Sequence, residues 1–123
     1  MFRKRDNEKL KEDECDPIKV MQMLSKKWAL LILSLLVRGQ SLRYTELNDR
    51  LKRISPKTLT ERLRELEREG IVTRKMFSEI PPRVEYSLTQ KGCELAVSLQ
   101  HVLKWAEKWY PSNSHQQEKE QKR

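Results

Sequence analysis

The sequence contains few of the residues on which disulfide frameworks, metal sites and phosphate-binding loops depend. It has two cysteines, two histidines and three glycines in 123 residues. Cys15 and Cys93 are too few for a disulfide framework, and together with His101 and His115 they show no zinc-ligand spacing. No segment resembles a phosphate-binding loop or a nucleophile–base pair. The sequence therefore predicts neither an enzyme nor a bound cofactor.

Long apolar runs are also absent. No run approaches the roughly 18 residues that are needed to span a bilayer. The first six residues lead into further charge, whereas a signal peptide would continue into an apolar core. We therefore expect a cytoplasmic protein with reduced thiols and no membrane partner.

Positive charge is in excess, with 26 Lys and Arg against 18 Asp and Glu, a formal net charge of +8 and a pI near 9.7. Such a balance favours a polyanionic partner, which could be nucleic acid or an anionic membrane surface. Of these two we expect nucleic acid, because the apolar faces of this chain are needed for a core and a dimer. The length suits one domain. We expect a charged arm at residues 1–14, a folded domain at residues 15–110, and a disordered tail at residues 111–123, which lacks apolar residues.

The segment Ile54–Gly70 predicts a helix whose two ends are both marked. Ser55 can cap the first turn, Pro56 suits the first helical position, and Gly70 is the expected left-handed stop. Three leucines recur at i, i+4 and i+7 and form one buried stripe: Leu59, Leu63 and Leu66.

The opposite face of this helix carries Lys57, Glu61, Arg64 and Arg68, with Thr60 at its flank. A capped helix with such a cationic, hydroxyl-bearing face could lie in the major groove of DNA. An ordinary solvated face is the alternative interpretation.

The segments before this helix predict a helix-turn-helix. A core helix at residues 26–37, capped by Ser25, is followed by a brief strand or turn at residues 41–44. A short helix at residues 45–52 then leads through about three or four residues into the capped helix, as is typical of the motif. Arg43 and Arg53 lie near this unit and are candidates for phosphate contacts or solvated charges.

A hairpin is predicted directly after Gly70. Residues 83–88 alternate between polar and apolar side chains, and residues 71–77 are rich in strand-forming residues. A hairpin in this position is a wing, whose cations Arg74, Lys75 and Arg83 could contact the DNA backbone or the minor groove. A plain surface hairpin remains the alternative.

Two helices carry more apolar surface than one small domain needs. Residues 17–24 are apolar around the whole helix, and the last helix, residues 90–110 after a Thr89 cap, has an apolar arc of roughly 160° against the usual ~100°. These faces predict packing against a second subunit, unless one domain covers them. The candidates for that interface are Ile18, Met21, Leu99, Val102, Trp105 and Trp109. Cys93 is expected in the core or the interface.

Several motifs together resemble the HxlR family of bacterial and archaeal transcription regulators, relatives of the MarR group. The resemblance covers residues 15–109 and is most specific at residues 81–89, PPRVEYSLT, followed by Gly92. It includes Lys27-Trp28 and the segments RYTEL at residues 43–47 and ISPKTLT at residues 54–60. The sequence departs from the family where Ser25-Lys26 replaces glycines and where Asp16 separates Cys15 from the first helix.

The resemblance implies a mostly α fold with a small β-hairpin: a winged helix-turn-helix whose first and last helices form a homodimer. Such a dimer would bind double-stranded DNA at a palindromic operator with half-sites about 34–36 Å apart. The candidates for base and phosphate contacts on the capped helix are Ser55, Lys57, Thr58, Thr60 and Arg64. A non-specific architectural DNA-binding protein is the alternative.

The resemblance also suggests that Cys15 senses oxidants or electrophiles. A helix N-terminus makes a nearby thiol more reactive, whereas Glu14 and Asp16 oppose this effect. A structural or incidental thiol is therefore the alternative. No pattern in the sequence indicates a small-molecule effector.

Overall fold

Five helices and three strands make up the computed structural model, which describes residues 16–39 and 41–111. In chain order they are α1 (Pro17–Leu24), α2 (Ala29–Gly39), β1 (Ser41–Arg43), α3 (Tyr44–Arg50), α4 (Pro56–Arg68), β2 (Val72–Phe77), β3 (Arg83–Leu88) and α5 (Gln90–Trp109). The predicted α+β class is confirmed. The predicted arm, Cys15 and residues 112–123 of the predicted tail lie outside the described residues.

The sheet has three antiparallel strands in the order β1-β3-β2. The predicted hairpin is present as β2 and β3, and the segment that was expected as a strand or a turn is β1, which pairs Leu42 with Tyr86. Because β3 is paired on both sides, it is the central strand. Tyr86 of this strand is buried because its side chain packs in the hydrophobic core.

The junction between α1 and α2 differs from the prediction. Ser25 does not cap α2 but ends α1, where its backbone N–H donates to the carbonyl of Met21 at 3.0 Å. Trp28 has a positive φ of 82°, outside the right-handed helical region, so that α2 begins only at Ala29. Trp28 nevertheless packs against the core, which explains why its spacing matched the helical period.

Asp16, which interrupts the family pattern, is the N-cap of α1. Its Oδ1 accepts hydrogen bonds from the backbone N–H groups of Ile18 at 2.7 Å and Lys19 at 3.0 Å, and the residue is buried. The carboxylate thus satisfies two N–H groups that would otherwise be unpaired at the helix start.

The core lies between α2, α4 and the inner face of the sheet. The three leucines of the predicted stripe, Leu59, Leu63 and Leu66, are each at most 1% exposed, which confirms that prediction. Buried side chains of α2, α3 and the three strands, together with Ile71 just before β2, pack around them. These side chains are Ile32, Leu33, Leu36, Leu42, Leu47, Ile71, Val72 and Tyr86. This packing determines which face of α4 remains in solvent.

The end of α4 is joined tightly to the start of α5. Gly70 has a φ of 72° and ends the helix, as predicted. Thr89 caps α5 by accepting from the N–H of Gly92 at 3.0 Å, and its hydroxyl also contacts the carbonyl of Ile71 at 3.1 Å. Gly92 lies so close to Ile71 that a Cβ atom there would be 2.1 Å from the carbonyl oxygen.

Candidate nucleic-acid interface

The helix-turn-helix consists of α3, the connection from Leu51 to Ser55, and α4. Leu51 and Ile54 are buried, so that the connection is held against the core. Ser55 is the N-cap of α4, since its Oγ accepts from the N–H of Thr58 at 3.1 Å, and Pro56 occupies the first helical position. Both predicted start signals are therefore confirmed.

The outer face of α4 is formed by four exposed charged side chains, namely Lys57, Glu61, Arg64 and Arg68. None of the ion pairs in the described part of the chain involves any of them. Three of the four are cations, so this face presents positive charge to solvent without an internal counter-ion. Such a face is available to bind phosphates and base edges.

A second charged row on α4 faces inward and was not singled out from the sequence. The Nε of Arg62 donates to the carbonyl of Lys27 at 2.9 Å, and Arg62 and Glu65 form an ion pair at 3.1 Å. Glu65 also pairs with Lys26. These contacts tie α4 to the connection between α1 and α2. The only feature of the sequence that indicates these contacts is that Arg62 and Glu65 lie beside the leucine stripe.

Hydroxyl groups form a second cluster near the start of α4. The Oη of Tyr44, at the start of α3, donates to the carbonyl of Pro56 at 3.0 Å and lies 3.1 Å from the Oγ1 of Thr60. Ser55 Oγ donates to Thr58 Oγ1 at 2.9 Å. The candidate residues Ser55, Thr58 and Thr60 therefore all make intramolecular hydrogen bonds. Tyr44 thus joins the two helices of the motif, a role that no pattern in the sequence indicates.

The three wing cations occupy different environments. Arg83 forms ion pairs with Glu79 at 3.4 Å and Glu85 at 3.2 Å, and its guanidinium lies 3.9 Å from the centre of the Phe77 ring. Lys75 is opposite Glu85, on the same face of the sheet as Arg83. Arg74 is opposite Tyr86, on the other face. Their contacts with DNA remain predictions.

A groove of about 530 Å³ separates the start of α3 from the wing. Arg43, Arg74 and Tyr86 are among its lining residues. Burial raises the pKa of Tyr86 above its usual value of 10, and the nearby Arg74 opposes this rise. The Tyr86 hydroxyl is therefore protonated at neutral pH, and the charged side chains that line the groove are its arginines and Glu79.

Comparison with known proteins identifies the family. A model of the HxlR-like helix-turn-helix matches residues 23–114, most of the chain. The chain belongs to the HxlR-like helix-turn-helix family. This is a family of transcriptional regulators and not of enzymes, and the resemblance found in the sequence is thereby confirmed.

Several HxlR-like relatives share most of this chain. The uncharacterized HTH-type transcriptional regulator YvaP of Bacillus subtilis is 46% identical over 74% of this chain and 83% of its own. The reduced form of the transcriptional regulator YodB from B. subtilis has a TM-score of 0.64 at 36% identity, covering 76% and 90% of the two chains. Crystal structures of diamide-treated and quinone-bound YodB are similar as well. A MarR-family regulator from Porphyromonas gingivalis has a TM-score of 0.66 at 37% identity, over 76% and 92%.

Metal-binding and membrane-spanning features are few in the described part of this HxlR-like chain. Within residues 16–39 and 41–111, no group of three or more His, Cys, Asp or Glu side chains is placed to hold a metal ion. No single helix in the same ranges is long and apolar enough to cross a membrane. Only Pro17–Leu24 and Ala29–Val37, which are bent by 87°, pass that test as a pair on length and composition.

The predicted dimer surface of the HxlR-like domain is largely open in the single chain. Met21, Val102, Trp105 and Trp109 are each more than half exposed, and Ile18 and Leu99 are half-buried. Leu31 and Leu103 are also exposed along a groove of about 560 Å³ between α2 and α5. One domain therefore does not cover its own apolar arc. Cys93 is exposed, so the core alternative for it is wrong and the interface alternative remains.

The inward charges of α4 lead to a stability prediction. Arg62→Ala is expected to lower the free energy of unfolding by about 1–3 kcal/mol, because Lys27 loses the donor to its carbonyl and Glu65 loses a partner. Arg64→Ala removes an exposed arginine from the same helix and should change the free energy of unfolding by less than about 0.5 kcal/mol. Urea unfolding of both variants would measure the difference. Equal losses would contradict the assigned contacts.

Proposed function

We propose that this protein is a homodimeric transcription regulator that binds a palindromic operator in double-stranded DNA through α4. The observation that carries the proposal is the two-sided character of α4. Its leucines and inward charges attach it to the core, while Lys57, Arg64 and Arg68 are exposed and form no ion pair with any residue that the structure describes. In cells such as those of its relatives from Bacillus subtilis and Methanothermobacter thermautotrophicus, where DNA lies in the cytoplasm, a regulator with this function acts in the cytoplasm.

Arg64 is the residue that we assign to base recognition. It lies in the middle of the exposed face, and an arginine can donate two hydrogen bonds to the N7 and O6 atoms of one guanine, which is worth roughly 1–3 kcal/mol of discrimination. Lys57 and Thr58 are near the helix start, where contacts with phosphates and neighbouring bases are expected. Arg43, Arg74, Lys75 and Arg83 are assigned to the DNA backbone beside the wing.

The first test is selection from a random duplex library at physiological salt. We expect enrichment of an inverted repeat whose half-sites are about one helical turn apart. Arg64→Ala should reduce the preference for guanine at one position of each half-site by about 5- to 150-fold, because one bidentate contact is lost. Arg83→Ala, which changes a wing cation, should weaken binding to operator and scrambled duplexes equally.

Two outcomes would contradict these assignments. If Arg64→Ala weakened binding to both duplexes by the same factor, Arg64 would contact phosphate and not a base. If the wild type enriched no motif and its binding fell steeply with salt, the protein would be a non-specific architectural DNA-binding protein.

Dimer formation is supported by the exposed apolar side chains on α1 and α5. Large apolar side chains that are exposed together on two helices are typical of an interaction site. A twofold dimer would present two copies of α4, which is the arrangement that an inverted repeat requires.

A matched pair of substitutions tests the position of this interface. Val102 on α5 and Met76 on the wing are 58% and 60% exposed. Val102→Lys should convert the dimer to monomer, because it would place an ammonium group in an apolar interface, whereas Met76→Lys should leave the dimer intact. Analytical ultracentrifugation gives both masses. A dimeric Val102→Lys variant would exclude this surface.

We infer a thiol response as a second candidate function, with Cys15 as the reactive residue. The observation that favours it is the similarity to YodB, for which diamide-treated and quinone-bound structures exist. Substitution of Cys93, the other cysteine of the chain, provides the control for substitution of Cys15.

The thiol response can be tested with hydrogen peroxide, which oxidises a reactive thiol to a sulfenic acid and is itself reduced to water. We expect oxidation to change operator affinity in the wild type and in Cys93→Ser, and to leave Cys15→Ser unaffected. Mass spectrometry and DNA titration would follow both effects. Oxidation of Cys15 without a change in affinity would exclude the switch.

A further inference from the structure

The hydroxyl cluster at the start of α4 determines where each hydroxyl hydrogen is placed. The carbonyl of Pro56 can only accept, so the single hydroxyl hydrogen of Tyr44 is used in their 3.0 Å contact. The remaining contact of Tyr44, 3.1 Å from Thr60 Oγ1, must then take its hydrogen from Thr60. Thr60 is left with lone pairs but without a hydrogen for another partner.

Ser55 and Thr58 have the opposite arrangement. Ser55 Oγ accepts from the backbone N–H of Thr58 and donates its own hydrogen to Thr58 Oγ1 at 2.9 Å. The hydroxyl hydrogen of Ser55 is therefore used within the cap, and that of Thr58 has no acceptor among residues 16–39 and 41–111. Two threonines on the same helix thus differ in whether their hydroxyl group can donate a hydrogen bond to another molecule. Thr58 can donate to DNA, and Thr60 can only accept.

We propose that Tyr44 makes Thr60 a specificity-determining acceptor toward the bases. In the major groove, adenine and cytosine offer amino hydrogens, at N6 and N4, whereas the O6 of guanine and the O4 of thymine only accept. Thr60 therefore favours adenine or cytosine on the strand that it contacts and disfavours guanine or thymine there. Tyr44 is a positioning residue, since it acts through Thr60. This inference rests on the proposed function, in which α4 lies in the major groove.

The structure also explains why Thr60 has a stable orientation. Its side chain is half-buried between α3 and α4, and Tyr44 is held in turn by the backbone of Pro56. An unattached threonine hydroxyl could rotate and serve either kind of base. The contact with Tyr44 removes that choice. The Tyr44 hydroxyl, which belongs to α3, therefore influences which DNA sequence α4 binds.

The experiment is in vitro selection with the wild type and a set of hydroxyl variants. Thr60→Val removes the hydroxyl and keeps the shape, so it identifies the position that Thr60 contacts. At that position the wild type should prefer adenine or cytosine by about 2- to 10-fold, the range of one hydrogen bond. Thr60→Ser should retain this preference. Tyr44→Phe should lose it, because the Thr60 hydroxyl can then also donate.

Tyr110→Phe is the matched control, since it removes a phenolic hydroxyl at the end of α5 and should bind as the wild type does. Thermal unfolding verifies that each variant is folded. If Tyr44→Phe does not fold, the Thr60 variants still test the acceptor assignment.

The outcomes of this experiment distinguish failure of the proposed function from failure of the inference about Thr60. If the wild type enriches no motif, the proposed function fails. If it enriches a motif but Thr60→Val leaves every position unchanged, the inference is overturned and the function stands. The inference is also overturned if the Thr60 position prefers guanine or thymine, or if folded Tyr44→Phe keeps the wild-type preference.

Discussion

Burial of the leucine stripe on α4 is the constraint on which the rest of this structure depends. Leu59, Leu63 and Leu66 are almost completely removed from solvent, and each contributes on the order of 1.5–3 kcal/mol of hydrophobic free energy. Because a helix is rigid, burying one side determines which side chains are exposed on the other. The charged outer face of α4 is therefore a consequence of core packing.

Polar contacts then fix α4 more precisely than apolar packing could. Hydrophobic contacts are non-directional, whereas the Arg62 bond to the Lys27 carbonyl and the Tyr44 bond to the Pro56 carbonyl each specify a direction. One bond acts from the α1–α2 connection and the other from α3. In our proposal, these bonds hold α4 in the orientation in which it meets DNA.

Much of the fold could be predicted from sequence because its signals are local. Ser55, Pro56 and Gly70 mark the ends of α4 through backbone chemistry that depends on adjacent residues alone. The start of α2 could not be predicted in this way. Trp28 has helical spacing because it packs on the core, but its backbone is left-handed, and periodicity reports side-chain direction without reporting φ.

The sequence by itself determined the α+β class, the two ends of α4, the buried leucine stripe and the charge of the outer face of α4, because periodicity and capping are properties of neighbouring residues. Only the tertiary structure decided that β1 completes a three-stranded sheet, that Arg83 is paired with two glutamates, and that Tyr44 contacts Thr60. These features join residues that are distant in the chain or whose rotamers depend on packing. The family patterns alone do not show which hydroxyl hydrogens remain free.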